Sequence, residues 1–267
     1  MTDVVLEAVK VSKSYPRLSG ILRRQVGAVE AVSHVSCELQ RGESLGLVGE
    51  SGCGKTTLAK LLVGLLRPTA GAVRVRGTAW SALRGAALRE ARRRIQFVFQ
   101  DPMNSLNPRM TVEEILSEPL IIHRLAQGEA RRRRVQELLD AVHLPSAYGR
   151  RLPRELSGGE RQRVGIARAL ATDPEALICD EPIASLDVSV GAKLLELLRV
   201  VSQRRRMALL FISHDLGAVS SLCRRIAVMK QGRWLETGPT EEVLAQPRYS
   251  YTSLLIRCAA LDLSEPK

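Results

Sequence analysis

The sequence predicts an α/β fold built on a mostly parallel sheet. Three observations carry that prediction. Ser44-Leu45-Gly46-Leu47-Val48 reads as a short buried strand that runs into a glycine loop, and Leu58, Leu61, Leu62 and Leu65 then recur at helical spacing. Strand-like apolar runs at 95–99, 176–179, 207–212 and 226–229 alternate with helical stretches, the pattern of a sheet covered on both faces. The 267 residues, 45% of them hydrophobic and 25% charged, suffice for a sizeable core.

Taken in order, residues 4–14 read as a strand ending at Ser14-Tyr15, followed by a basic loop over 16–27 and a second strand over 28–39. The strand at 44–48 and its helix come next, then a short strand at 71–76 with alternating Val73 and Val75. Ile95-Gln96-Phe97-Val98-Phe99 is a strand that Gln100-Asp101-Pro102 stops. Beyond it the texture turns helical. Thr111-Val112-Glu113-Glu114 is a capping box opening one helix, and a second spans about 129–142 with its arginines outward. Strand character returns at 176–179, followed by a helix over 188–203, a strand at 207–212, a short helix, a strand at 226–229 and a turn at Gln231-Gly232. The last thirty or so residues read as a small appendage.

Gly49-Glu50-Ser51-Gly52-Cys53-Gly54-Lys55-Thr56-Thr57 fits G-x-x-x-x-G-K-[ST]. Glycines let backbone N–H groups turn inward around a polyphosphate, and the helix start that follows favours anionic oxygens. Lys55 is the candidate for the β- and γ-phosphates and Thr56 for Mg²⁺. Further on, Ala176-Leu177-Ile178-Cys179 ends in Asp180-Glu181. Ligands of a parallel sheet bind beyond the carboxyl ends of its strands, so Asp180 is a metal candidate and Glu181 a candidate base for an attacking water. Leu156-Ser157-Gly158-Gly159-Glu160 opens a helical stretch. Ser157 and Glu160 make a plain capping box, which accounts for both. Paired glycines disfavour helix, and they suggest instead a second surface where a ligand approaches backbone N–H groups.

Composition limits the remaining classes. No apolar run is long enough to span a bilayer, and the start lacks the basic and apolar regions of a signal peptide, so a cytosolic location is expected, with any membrane role coming through a partner. Five scattered cysteines, none in C-x-x-C spacing, suggest neither zinc nor a disulfide framework. Net charge is +12, with clusters at Arg92-Arg93-Arg94, 131–134, Arg150-Arg151 and Arg204-Arg205-Arg206. These read as a nucleic-acid surface or as solvated helix faces near anionic head groups. The scarcity of aromatics favours the second.

In combination and order these motifs resemble the ATP-binding subunits of ABC transporters, over essentially the whole chain. The resemblance implies a P-loop NTPase core with a mostly parallel sheet, an N-terminal antiparallel β region and an inserted helical subdomain. It divides the chain into 1–100 (first part of the nucleotide-binding core), 101–165 (helical subdomain ending in the signature motif), 166–236 (second part of the core) and 237–267 (appendage). It implies ATP and Mg²⁺ as ligands. Tyr15 sits where the family places an adenine-stacking aromatic, and Gly49, Glu50, Ser51, Gly52, Cys53, Gly54, Lys55, Thr56 and Thr57 match its phosphate-binding motif. Gln100 matches the glutamine that senses Mg²⁺ and faces the membrane partner. Ser157, Gly158 and Gly159 match the signature motif, whose usual last Gln is here Glu160. Asp180 and Glu181 match the metal aspartate and catalytic glutamate, Ser185-Leu186-Asp187 the D-loop, and His214 the histidine that contacts the γ-phosphate.

Phe99-Gln100-Asp101-Pro102 with the segment from Ser105 to Val112 looks like the dipeptide, oligopeptide and nickel importer group. The loop sequence through Leu58-Ala59 is similar to the second of the two ATPases such importers use. Tyr249-Ser250-Tyr251-Thr252 also fits. The implied partners are a homologous second ATPase, two membrane permeases and, indirectly, an extracytoplasmic binding protein, with the chain on the cytoplasmic membrane face. Ile183-Ala184-Ser185 departs from the usual Thr-Ser-Ala and removes no catalytic group, and only Cys258 lies near the end, so no iron–sulfur centre is expected. The alternatives are a non-transport ABC ATPase, such as an accessory protein of phosphonate breakdown, and a nucleic-acid-bound one. Against the latter stand a single phosphate loop and a short stretch between Gln100 and Leu156.

Overall fold

The structure, a computed structural model, describes residues 3–19, 24–100, 105–184 and 186–262. It divides into two compact units, one formed by 1–83 with 210–267 and the other by 84–209.

The first unit carries an antiparallel sheet of β1 (Val4–Ser19), β2 (Arg24–Gln40), β4 (Ala70–Val75) and β5 (Thr78–Ala79), in the order β2-β1-β4-β5. β1 and β2 pair across their length, from Val4 opposite Gln40 to Ser19 opposite Arg24. The loop expected over 16–27 is therefore mostly hairpin, and its exposed residues Val29 and Tyr15 face each other across the ladder. Pro16 stays in the strand because φ near −65° suits extended backbone. In the same unit the strands run in the order β10-β9-β3-β8, with β3 (Ser44–Val48), β8 (Ala208–Ile212, entering from the second unit), β9 (Arg225–Lys230) and β10 (Arg233–Pro239). β3 and β9 are parallel, whereas β9 and β10 form a hairpin about the Gln231-Gly232 turn. β3 is apolar beyond Ser44 and buried from Leu45 to Val48.

Helix α1 (Lys55–Leu62) buries Leu58, Leu61 and Leu62. It stops sooner than the leucine spacing suggests. Gly64 takes φ +72, and Leu65 lies beyond the helix, largely exposed.

The second unit begins with α2 (Gly85–Arg94), a helix too polar for a hydrophobic period to announce it. β6 (Ile95–Val98) and β7 (Ala176–Asp180) pair in parallel, and the strands here run β8-β7-β6. Between them lie α3 (Val112–Ile122), α4 (Gly128–Ala141) and α5 (Gly158–Leu170). The expected capping box at Thr111 is present, with Glu114 N–H donating to Thr111 Oγ1 and Thr111 N–H to the Glu114 carboxylate. Ile115, Leu116, Leu120, Leu138 and Leu139 make a dry helical core. α6 (Val188–Arg205) follows β7 and ends in the left-handed Arg206. In the first unit again, α7 (Leu216–Leu222) follows β8, while α8 (Thr240–Ala245) and α9 (Ser250–Asp262) follow β10. The segment read as an appendage, 237–267, thus begins inside a sheet strand, β10, which that reading did not foresee.

Candidate functional site

β3 delivers the chain directly into residues 49–57. Gly49 takes φ +151, Gly52 φ +78 and Gly54 φ +110. Two of these glycines are demanded by the protein's own backbone. A Cβ on Gly49 would run into the Met229 carbonyl oxygen of β9, and one on Gly54 into the Ala31 carbonyl oxygen of β2. Gly52 meets nothing and is exposed. The loop is braced from below by the Gly232 N–H, which donates to the Cys53 carbonyl at 2.8 Å.

Lys55 is only 5% exposed, and its ammonium donates to the Gly49 carbonyl at 2.7 Å and the Glu50 carbonyl at 2.9 Å. Gly54, at the N-cap of α1, offers no side chain to the first turn. The helix start therefore presents N–H groups and a positive dipole end with a lysine ammonium beside them. Neutral carbonyls hold that ammonium, and an anion would bind it more strongly. This donor set fits a polyphosphate. Thr56 and Thr57 lie in the same first turn, half-buried, and Ser51 and Glu50 are exposed on the loop.

His214 belongs to this end of the first unit. Ser213 N–H donates to the Leu47 carbonyl at 3.2 Å, so β8 finishes beside the end of β3 and the next residue, His214, is exposed there. Asp215 accepts from Ala218 N–H at 3.0 Å and caps α7. Tyr15 stands on β1, 38% exposed, with Lys13 Nζ 5.4 Å from its ring centre.

In the second unit, strand register brings two candidates together. Val98 of β6 lies opposite Cys179 of β7, so Gln100 and Glu181 leave parallel strand ends at the same level. The Gln100 Nε2 lies 3.5 Å from the Glu181 Oε2. Asp180 is 2% exposed, the last residue of β7. Glu181 takes φ +45, a conformation unfavourable for a residue with a Cβ, of the kind that collects at functional sites.

Ser157 is the N-cap of α5. Its hydroxyl accepts from Glu160 N–H at 3.3 Å, and Glu160 Oε2 accepts from Ser157 N–H at 2.7 Å. Glu160 Oε1 also accepts from the Tyr148 hydroxyl at 2.8 Å. The Ser157 N–H, above all, holds the Glu160 carboxyl below its ordinary range, with Tyr148 adding to it against partial burial. The capping box is thus real, and the Ser157 side chain also acts on the Glu160 carboxylate, which helps keep it ionised. The glycine pair divides. A Cβ on Gly159 would strike Val190 Cγ1 of α6, so Gly159 answers to helix packing, whereas one on Gly158 would lie at an ordinary 3.8 Å from Leu186 Cδ2. Arg168 of α5 donates to the Ser105 carbonyl at 2.6 Å and ties α5 to the segment beyond Gln100. Ser185 of the D-loop motif, with Asp101 and Pro102, lies outside the described residues.

Sequence reasoning missed the supports. Ala31, Met229 and Gly232 brace the loop through backbone atoms, which leave no mark on residue type. Tyr148 carries no motif. Tyr251, buried at the start of α9, accepts a hydrogen bond from the Glu50 N–H at 3.1 Å, although only its place in Tyr249-Ser250-Tyr251-Thr252 singled it out.

Residues 32–184 match the family profile described as ABC transporter. A probable peptide ABC transporter ATP-binding protein, y4tS, of Sinorhizobium fredii is 46% identical over 97% of this chain and 73% of its own length. The oligopeptide transport ATP-binding protein AppF of Bacillus subtilis is 42% identical over 95% of this chain and 78% of its own. Among solved structures, the dimeric ATP-binding cassette MJ0796 bound to ADP and Pi matches with a TM-score of 0.78 at 30% identity, covering 88% of this chain and 98% of that one.

Proposed function

The chain belongs to the ABC transporter family as an ATP-binding subunit, an ATPase coupled to transport, and we propose that it powers import of peptides. The single observation that carries the nucleotide half of this reading is the uncapped start of α1 with the Lys55 ammonium buried beside it. Likeness to two peptide-transport ATP-binding proteins over nearly the whole chain supports the cargo class. Among the described residues no helix is long and apolar enough to cross a membrane, in keeping with docking on permease subunits at the cytoplasmic face.

In this reading the N–H groups of the loop beyond Glu50, up to Thr57, and the Lys55 ammonium bind the phosphates, and Tyr15 stacks on the adenine. Thr56, Gln100 and Asp180 supply hydroxyl, amide and carboxylate oxygens, a hard set suited to Mg²⁺, which when bound neutralises phosphate charge. Glu181 orients the attacking water and takes its proton, and His214 contacts the γ-phosphate. Ser157, Gly158 and Gly159 serve the nucleotide of a second, homologous ATPase subunit. Residues 101–165 form a helical subdomain whose movement, with Gln100, reaches two permeases supplied by a binding protein. The core comprises 1–100 and 166–236, with 237–267 appended to it.

The test has two parts. The purified chain should bind ATP and lose binding in Lys55→Ala, and cells lacking the chain should lose uptake of a labelled oligopeptide that the wild-type gene restores. Undiminished ATP binding by Lys55→Ala would overturn the site. Unchanged peptide uptake, with ATP binding intact, would overturn the cargo alone.

A further inference from the structure

The phosphate loop is held at one point by the far end of the chain. Glu236 of β10 is 7% exposed. Its Oε2 accepts from the Thr252 hydroxyl at 2.7 Å, and its Oε1 accepts from the Arg248 N–H at 2.9 Å. A carboxylate this buried persists only with such partners, so the pair of bonds fixes how the chain enters α9. Between them in sequence stands Tyr251, 6% exposed, with Lys230 Nζ 4.4 Å from its ring centre. Its hydroxyl oxygen accepts from the Glu50 N–H at 3.1 Å, and burial pushes the phenol's pKa up, which keeps it neutral.

The Glu50 N–H and the Gly49 carbonyl are two edges of one planar peptide group. Tyr251 holds the N–H edge. The Lys55 ammonium holds the carbonyl edge at 2.7 Å. The residue before that peptide is glycine, at φ +151, and places little steric limit on its rotation. A bound phosphate would draw the ammonium away from the Gly49 carbonyl. The Tyr251 bond then remains to keep the peptide in plane.

We infer that Tyr251 is a positioning residue for ATP binding: anchored through Thr252 and Glu236, it fixes the 49–50 peptide so that the phosphate loop keeps its shape when Lys55 turns to the nucleotide. This rests on the reading of residues 49–57 as the ATP-binding loop. It makes the start of α9 part of the nucleotide site.

Three variants of the full chain test it: Tyr251→Phe, Thr252→Val and Lys55→Ala. Tyr251→Phe keeps the ring under Lys230 and loses the acceptor. It should weaken ATP binding about two- to tenfold, the range of one ordinary hydrogen bond, raise KM and leave kcat little moved. Amide exchange at Glu50 should accelerate. Thr252→Val, whose own side chain does not touch the loop, should move both readouts in the same direction by less. A residue that merely packs would lower the melting temperature while leaving the ATP Kd and Glu50 exchange as in the wild type. That result in Tyr251→Phe, with Lys55→Ala strongly impaired, would overturn this inference alone. If Lys55→Ala binds ATP normally, the loop reading falls and this inference with it. Should Tyr251→Phe fail to fold, wild-type Kd and Glu50 exchange in Thr252→Val would overturn it.

Discussion

Helices α1 and α5 both begin in glycine-rich sequence, yet their first turns are finished in opposite ways. At α1 the N-cap is Gly54 at φ +110, which makes no side-chain cap, and a buried lysine stands beside it. At α5 the N-cap is Ser157, its hydroxyl accepts from Glu160 N–H, and Glu160 returns the bond while also holding Tyr148. The first start has no side-chain cap and sets a lysine ammonium beside it. The second is closed by its own Ser157 and Glu160 and has a small Gly158 to offer. A helix N-terminus becomes a primary anion site where the chain declines to cap it, and an auxiliary one where it does. On this view the α1 start carries affinity for nucleotide within one chain, and the α5 start contributes when another chain brings its own.

The largest expected effect separates chemistry from either helix start. Glu181→Gln should lower single-turnover ATP hydrolysis about 10²–10⁴-fold, the usual contribution of a general base, while ATP binding at α1 persists. Loss of binding by this variant would mean that α1 does not carry affinity alone. Next comes a matched pair of glycine replacements. Gly54→Ala forces a Cβ into the Ala31 carbonyl at φ +110 and should cost about 1–3 kcal/mol of stability together with ATP binding. Gly158→Ala places its Cβ at an ordinary contact and should stay within about 0.5 kcal/mol of wild type. Urea unfolding with ATP titration compares the two. Equal losses would erase the distinction between the helix starts.

How far each start could be read from sequence follows the same divide. The α1 start was legible because its chemistry needs particular residue types at particular spacing, and the α5 capping box because Ser and Glu three apart make it. Tyr148, which adds a third bond to Glu160, was not, because a side chain arriving from another element leaves no local signature. The glycine pair reads as a place where a ligand approaches backbone N–H groups, and the close packing of Val190 Cγ1 on Gly159 is a further demand that residue type alone does not reveal. Strand β10 escaped because the charged Arg233 and Glu236 dilute the apolar run, although only Arg233 is exposed and Glu236 is turned inward to Thr252. The extension of the β1–β2 hairpin past Tyr15 was hidden by Pro16 and by charge, both admissible at an edge.

Ser157→Ala gives a smaller and more selective effect. The loss of the cap should cost about 0.5–2 kcal/mol, read as a lowered unfolding midpoint. Its sharper reading is in assembly. ATP binding to the isolated chain should match the wild type, since α1 is untouched, whereas ATP-dependent association with a partner ATPase should fall. Reduced ATP binding by the folded single chain would put Ser157 at the wrong nucleotide and break the division of labour.

The smallest effect tests whether the α5 start is closed by charge or by shape. Glu160 has its carboxyl pKa lowered in the folded chain, chiefly by the Ser157 N–H. A group whose folded pKa lies below its unfolded value stabilises the fold above the unfolded pKa and loses that contribution as pH falls through the folded one. At neutral pH the contribution is therefore complete, and it declines from about pH 4.5 downward, the ordinary range of a glutamate. Glu160→Gln keeps an oxygen for the Ser157 N–H and removes the charge, so it should cost about 0.3–1 kcal/mol at pH 7, the scale of a carboxylate at a helix start. As the wild-type carboxylate takes up its proton in acid, the two proteins should converge. Amide exchange at Ser157 reports this directly, because that N–H donates to the Glu160 Oε2 at 2.7 Å. Protection should be greater in wild type than in Glu160→Gln at pH 7, and the gap should close as pH falls below the folded pKa. A gap that persists unchanged in acid would show that the bond geometry, and not the charge, closes this helix start. The usual glutamine of the signature would then close it as well.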